Sequence, residues 1–127
     1  MTTDSSIGAE RLARRMARGC EFLGSEVAIM CGAMSWVSER NLVAAMSNAG
    51  GFGLIACGAM NPEQLDKEIA GTKALTDKPF GVNLITMHPQ LLELIAVCKK
   101  HEVTHVVLAG GLPPPAASTR SRNSAQS

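Results

Sequence analysis

The chain has 127 residues with 12 basic and 11 acidic side chains, a formal charge of +1; this is enough for one domain with its own core, and gives no charge excess to recruit nucleic acid or an acidic membrane surface. One Trp, three Phe and no Tyr leave too few rings for a base-stacking platform. The four cysteines (Cys20, Cys31, Cys57, Cys98) form no CxxC pair and no zinc spacing, so they read as reduced, mostly buried thiols of a cytoplasmic protein, and no metal site is expected. No apolar leader for export precedes residue 20, and no run of about 18 apolar residues could span a membrane.

In chain order, the first six residues, MTTDSS, read as loose. Residues 1–24 form a leader segment in which Leu12 and Met16 share a helical face until Gly19 and Gly24 break it. Its arginines (Arg11, Arg14, Arg15, Arg18) read as a solvated face or a cap over the bottom of the domain, because Glu10 and Glu21 dilute their charge. Residues 27–31 (VAIMC) are a continuous apolar run and predict a buried strand. Ser38 predicts the cap of a helix over about 39–48, with Leu42, Val43 and Met46 inward, and Ala49-Gly50-Gly51 stops it. Residues 52–56 (FGLIA) predict a second strand. Asn61, followed by Pro62, Glu63 and Gln64, predicts a capped helix to about Leu75, with a stripe of Leu65, Ile69 and Ala70. After the turn at Asp77-Lys78-Pro79, residues 80–85 (FGVNLI) predict a third strand. His88-Pro89 opens a third helix with Leu91, Leu92, Leu94, Ile95 and Cys98 at helical spacing and Lys99, Lys100 and His101 in its last turn. Residues 105–109 (HVVLA) predict a fourth strand, closed by Gly110-Gly111.

This β-α-β-α-β-α-β order, with apolar strands, predicts a parallel α/β sheet over residues 25–113, either doubly wound or part of a (β/α)8 barrel. Three intervening helices join the four strands. Residues 114–127 are polar, Pro-, Ser- and Arg-rich, and predict a disordered tail where a further helix is due.

In parallel α/β folds, ligands sit beyond the C-terminal ends of the strands. Three of those four ends carry glycine directly after the apolar run, where backbone can approach a flat or phosphorylated ligand. Gly-Ala-Met occurs at two, and Met34, Met60 and Met87 are the methionines in these loops. Asn83 interrupts an apolar strand; its amide could satisfy neighbouring backbone or the polar edge of a ring ligand. His88 reads as a capping residue, and His101 and His105 fall at the opposite end. Asp66, Glu68 and Glu93 lie on helices and read as solvated, so the catalytic residues stay unknown. Residues 48–53 resemble a dinucleotide fingerprint but precede a strand, which is the wrong context. Walker A, Gly-x-Ser-x-Gly and His-Glu-x-x-His motifs are absent.

Residues 29–36 (IMCGAMSW), 47–58 (SNAGGFGLIACG), 79–84 (PFGVNL) and 106–114 (VVLAGGLPP), in this order, resemble the opening half of the nitronate monooxygenase family, formerly 2-nitropropane dioxygenase, which also includes flavin-dependent enoyl-[acyl-carrier-protein] reductases. The resemblance covers residues 22 to 114. It implies a partial TIM barrel with FMN at its C-terminal face: Gly32, Ala33 and Met34 pass under the flavin, Asn83 contacts the ring, and Ala109 and Gly110, with Gly111, border the substrate. It also implies oxidation of alkyl nitronates by O2 to carbonyl compounds, or reduction of an enoyl thioester. The family's catalytic histidine, in a Gly-Gly-His segment, and its phosphate-gripping loops near strands seven and eight find no counterpart in this sequence. The expectation is therefore a truncated chain, inactive alone, that self-associates through exposed sheet edges or pairs with a partner half-barrel. The competing reading is a complete flavodoxin-like binding module, but CGAMSW lacks the Ser/Thr-rich phosphate loop such a sheet places after its first strand.

Overall fold

A computed structural model describes residues 4–117. The elements run α1 (Asp4–Leu23), α2 (Arg40–Asn48), β1 (Gly53–Ala56), α3 (Pro62–Leu75), β2 (Phe80–Ile85), α4 (Leu91–Lys100) and β3 (His105–Ala109). The strands form one parallel sheet in the order β1-β2-β3, with Ala56 beside Asn83 and Asn83 beside Val107. A helix lies between each successive pair, as parallel pairing requires.

The first expected strand is present only in outline. Residues 27–31 run parallel to the start of β1 through a single bridge, Met30 to Phe52. Phe52 N donates to the Ile29 carbonyl and Cys31 N to the Phe52 carbonyl, both at 2.9 Å. The segment is not buried as its apolar run predicts: Ile29 is 51% and Met30 43% exposed. Among the described residues no strand pairs with its far side, so the apolar side chains that a closed barrel would cover remain open.

Alternation along the strands divides the core in two. Ile55, Val82 and Leu84 pack outward against Leu65 and Ile69 of α3 and Leu94, Ile95 and Cys98 of α4. Each of the large aliphatic side chains in this cluster stabilises the fold by roughly 1.5–3 kcal/mol. On the opposite face Phe52 and Leu54 pack with Leu23 at the end of α1, and with Ala33 and Val107. Asn83 stands between Val82 and Leu84, so the period of two places it on this second face.

Local chemistry sets most helix ends. Asn61 and Gln64 form a reciprocal capping box with Pro62 at the first turn of α3, as expected. For α2 the cap is Glu39, not Ser38: the Glu39 carboxylate accepts from Asn41 N and Leu42 N. The buried side of α2 is Val43, Ala44 and Ser47, with Leu42 and Met46 only half-buried. On α3, Ala70 is exposed and Thr72 takes the inward place. Leu92 of α4 is also exposed.

Two terminal expectations change. Residues 4–6 are helical rather than loose, and α1 runs through Gly19, where a Cβ would lie 2.7 Å from that of Ala28. The helix stops at Gly24, in a left-handed conformation (φ +70°), with its N–H donating to the Cys20 carbonyl at 2.8 Å. At the other end, residues 115–117 form a helical turn and Ala117 is fully buried in the main cluster, so the expected disorder does not begin at 114. The remainder of the expected tail, 118–127, lies outside the described residues.

Candidate functional site

Four segments meet at the C-terminal end of the sheet: 31–38 after the edge bridge, 57–61 after β1, 86–90 after β2 and 110–114 after β3. The six residues singled out for cofactor contact form two groups: Gly32, Ala33, Met34 and Gly110 lie in these segments, and Asn83 and Ala109 lie within the strands that lead to them. In one, Asn83 and Ala109 sit on the neighbouring strands β2 and β3, where Ile85 pairs with Ala109, and Gly110 follows β3 directly. In the other, Gly32, Ala33 and Met34 follow the edge segment bridged at Met30, on the loop that leads to α2.

In the first group, Asn83 is half-buried between Ala56 and Val107, and its side-chain amide makes no hydrogen bond among the described residues. An amide in that position retains both a donor and an acceptor for an incoming ligand. Gly110 has φ +105°, which L side chains rarely adopt, and a Cβ there would come within 2.9 Å of Thr86 Oγ1. That hydroxyl is buried and has no hydrogen-bond partner among the described residues. Thr86 N donates to the Ala109 carbonyl at 2.8 Å, which fastens the two loops together.

In the second group, Gly32 is exposed and a Cβ would meet nothing within 4 Å, so neighbouring protein atoms do not account for a glycine there. Ala33 packs against the Phe52–Leu54 cluster, and Met34 is 47% exposed. Ser38, which does not cap α2, accepts from Met34 N and donates to the Gly32 carbonyl, closing the loop on itself.

The other candidates separate. Met60 is buried in the main cluster, whereas Met87 is exposed. His88 accepts from Gln90 N through Nδ1 at 3.0 Å, a bond within the turn that leads into α4, which has no side-chain cap. His101 and His105 lie at the opposite end, as expected: His101 Nε2 meets Asp66 Oδ1 at 2.8 Å, and His105 Nε2 donates to the Phe22 carbonyl with its ring edge-on to Phe22 and Phe52. Hydrogen bonds from Lys100 and His101 hold the Asp66 carboxyl below its ordinary range. Glu68 is not a solvated helix residue. Its carboxylate binds Arg40 through Nη2 at 2.9 Å, Nε at 3.2 Å and the backbone N at 2.6 Å, and the guanidinium hydrogen bond lowers its pKa despite partial burial.

Burial pushes the Cys57 and Cys98 thiols up to about 12, so both are neutral and unreactive, and Cys20 and Cys31 are half-buried free thiols. Among the described residues, no cluster of ligands suits a metal ion and no helix is long and apolar enough to cross a membrane. A cleft of about 300 Å³ opens at the strand ends between Thr86, His88 and Pro114. A larger one, about 430 Å³, lies at the opposite end among Lys73, Thr76, Lys78 and Glu102.

Ser38 and Thr86 are the site residues that sequence reasoning missed. For Thr86 a signal existed, a polar residue immediately after an apolar strand. Ser38 was visible only as a cap, the commoner use of serine before a helix.

Residues 18–110 match the family model described as nitronate monooxygenase. Over 67 residues the chain is 45% identical to the nitronate monooxygenase of Paraburkholderia phytofirmans, covering 53% of this chain and 18% of that protein. Over 64 residues it is 44% identical to (3aS,4S,5R,7aS)-5-hydroxy-7a-methyl-1-oxo-octahydro-1H-indene-4-carboxyl-CoA dehydrogenase of Mycobacterium tuberculosis, covering 50% of this chain and 18% of that one. Thermotoga maritima FabK superposes with a TM-score of 0.75 at 37% identity, over 82% of this chain and 34% of FabK. Nitroalkane oxidase from Streptomyces ansochromogenes superposes at 0.71 and 24% identity, over 84% and 40% of the two chains, a likeness of fold alone. The matched stretch thus spans about a fifth of these curated relatives and little more than a third of the solved structures. The parallel ladder with helices between its strands is the corresponding part of a (β/α)8 barrel. With the family model matching most of its length, the chain belongs to the nitronate monooxygenase family.

Proposed function

We propose that this chain supplies the N-terminal part of an FMN site in an oxidoreductase acting on alkyl nitronates. The observation that carries this reading is Asn83: a half-buried amide with no hydrogen-bond partner among the described residues, near the strand ends, between two glycine-bearing turns. The residues present fit a flat ring. Gly32 leaves open space where a side chain would stand, and Gly110 adopts a backbone that keeps side-chain atoms away. Gly32, Ala33 and Met34 would lie beneath the ring, Asn83 would exchange hydrogen bonds with its polar edge, and Ala109 and Gly110 would border the substrate. FMN, when bound, supplies the redox chemistry that takes a nitronate to a carbonyl compound with O2 as co-substrate.

The chain's own part is to bind, orient and exclude water. Leu23, Phe52 and Leu54 form a dry floor under the sheet's inner face. Among the described residues no pair of titratable groups meets at the strand ends, and both buried thiols are neutral, so none supplies an acid–base dyad. The reading therefore assigns proton transfer to groups beyond this set and has the chain inactive alone. Further strands, or a second copy, would cover the open edge of β3.

FabK, the more similar of the two solved structures, favours an enoyl thioester as the alternative substrate. Flavin titration of the purified chain, followed by turnover assays with alkyl nitronates and enoyl thioesters, tests both. Saturable FMN binding supports the cofactor site. No binding at high micromolar FMN overturns it.

A further inference from the structure

The loop between the edge bridge and α2 is fastened at its base and strained at its tip. Ser38 is only 2% exposed, and its Oγ donates to the Gly32 carbonyl at 3.1 Å and accepts from Met34 N at 2.9 Å. Val37 N and Ser38 N both donate to the Met34 carbonyl, and Ala56 N at the end of β1 donates to the Ser38 carbonyl. Five hydrogen bonds therefore hold seven residues in one shape against the sheet. At the tip, Trp36 has φ +63°, a left-handed conformation that a bulky side chain adopts at a cost, and its ring is 70% exposed.

Packing does not explain that arrangement, because Trp36 belongs to neither core cluster. Backbone strain persists where the surroundings over-determine it, and it concentrates at ligand sites. Met34 and Val37, in the same loop, are also exposed, at 47% and 54%. The result is a rigid, apolar projection continuous with the Gly32–Met34 turn.

We propose that Trp36 is a specificity-determining residue: its ring, flanked by Met34 and Val37, is the wall along which the apolar chain of the substrate lies, and Ser38 is the positioning residue that holds it there. This rests on the reading that the strand ends hold a flavin and its substrate. A flat ring fixed in advance binds an alkyl chain with little loss of freedom, and each methylene fully buried against it adds roughly fourfold in affinity. The site then grades ligands by chain length.

The test uses the full chain with FMN, as wild type, Trp36→Gly and Ser38→Ala. Glycine suits the positive φ, so the first variant does not threaten the fold. Trp36 is the only tryptophan and the chain has no tyrosine, so intrinsic emission reports on this ring alone. Straight-chain ligands from 1-nitropropane to 1-nitrooctane are titrated by flavin absorbance. The expected result is equal FMN affinity in the wild type and Trp36→Gly and a weaker one in Ser38→Ala, which frees the Gly32–Met34 turn, with ligand affinity rising along the series in the wild type as Trp36 emission shifts to the blue. In Trp36→Gly that rise flattens, leaving the longest ligand about tenfold weaker. In Ser38→Ala the rise is shallower, and acrylamide quenches the released ring more strongly. An undiminished rise in Trp36→Gly, or unchanged emission on ligand binding, overturns the Trp36 assignment and leaves the flavin reading standing. Absence of FMN binding by the wild type overturns the flavin reading, and the Trp36 role falls with it.

Discussion

Gly110 and Thr86 meet at the end of the sheet so closely that a Cβ on the one would stand 2.9 Å from the hydroxyl oxygen of the other. That hydroxyl is buried and unpaired among the described residues, and Gly110 holds φ +105°. Gly110→Ala should therefore lower stability by about 1–3 kcal/mol, from backbone strain and the crowding of Thr86 together. Thr86→Val, which removes the orphaned hydroxyl at nearly constant volume, should leave stability unchanged or raise it by about 1 kcal/mol. Urea unfolding midpoints at constant slope check both.

Asn83→Leu separates folding from cofactor binding. The amide has no hydrogen-bond partner among the described residues, so its loss should change the unfolding midpoint little, whereas FMN affinity should fall roughly ten- to hundredfold, the worth of one or two hydrogen bonds in a partly buried site. Flavin fluorescence titration of both proteins measures the difference, and equal affinities would remove Asn83 from the site.

Glu102 occupies the position after α4 that glycine usually fills. It has φ +56°, its N–H donates to the Lys99 carbonyl, and Val103 N donates to the Cys98 carbonyl. Glu102→Gly should raise stability by about 1 kcal/mol, because relief of the left-handed strain exceeds the added freedom of the unfolded chain. A thermal midpoint unchanged or lowered by this substitution would contradict that.

The Arg40–Glu68 pair joins the start of α2 to α3, and its carboxylate is the better buried partner: the side chains are 40% and 13% exposed. Glu68 titrates below its ordinary value of 4.5 when folded, so the pair's contribution is complete above that pH and disappears as pH falls through the lowered value. Glu68→Gln should cost about 1–2 kcal/mol at neutral pH, allowing for the solvent around Arg40, and the gap to wild type should close towards pH 3. Denaturant midpoints measured from pH 7 to pH 3 test the sign. A gap that widens on acidification would show that another carboxylate dominates.

Much of the fold was legible because the strands and the α3 cap write themselves in short-range chemistry. Phe80–Ile85 and His105–Ala109 fall where their apolar runs predict, and Asn61 with Gln64 announces α3 before its first buried side chain, Leu65. The sequence misled where one residue type serves two purposes. Ser38 before a helix reads as a cap, but a hydroxyl reaching back to Gly32 satisfies the loop instead, leaving Glu39 to cap α2. The apolar run 27–31 reads as buried, yet burial depends on neighbours that no local pattern contains. Of the site, the glycine turns and Asn83 were visible as breaks in apolar runs. The strain at Trp36 was not, because a positive φ outside glycine has no signature in sequence.

The two classes of thiol give the molecule an internal clock. Cys20 and Cys31 lie half-exposed on α1 and the edge segment, whereas Cys57 and Cys98 are sealed between sheet and helices. A thiol-specific label therefore reaches the first pair in the native state and the second only when α4 lifts from the sheet, so the delay between the two reactions times that opening. Ligands that grip the strand ends would lengthen the delay, and their binding can be followed without any turnover at all.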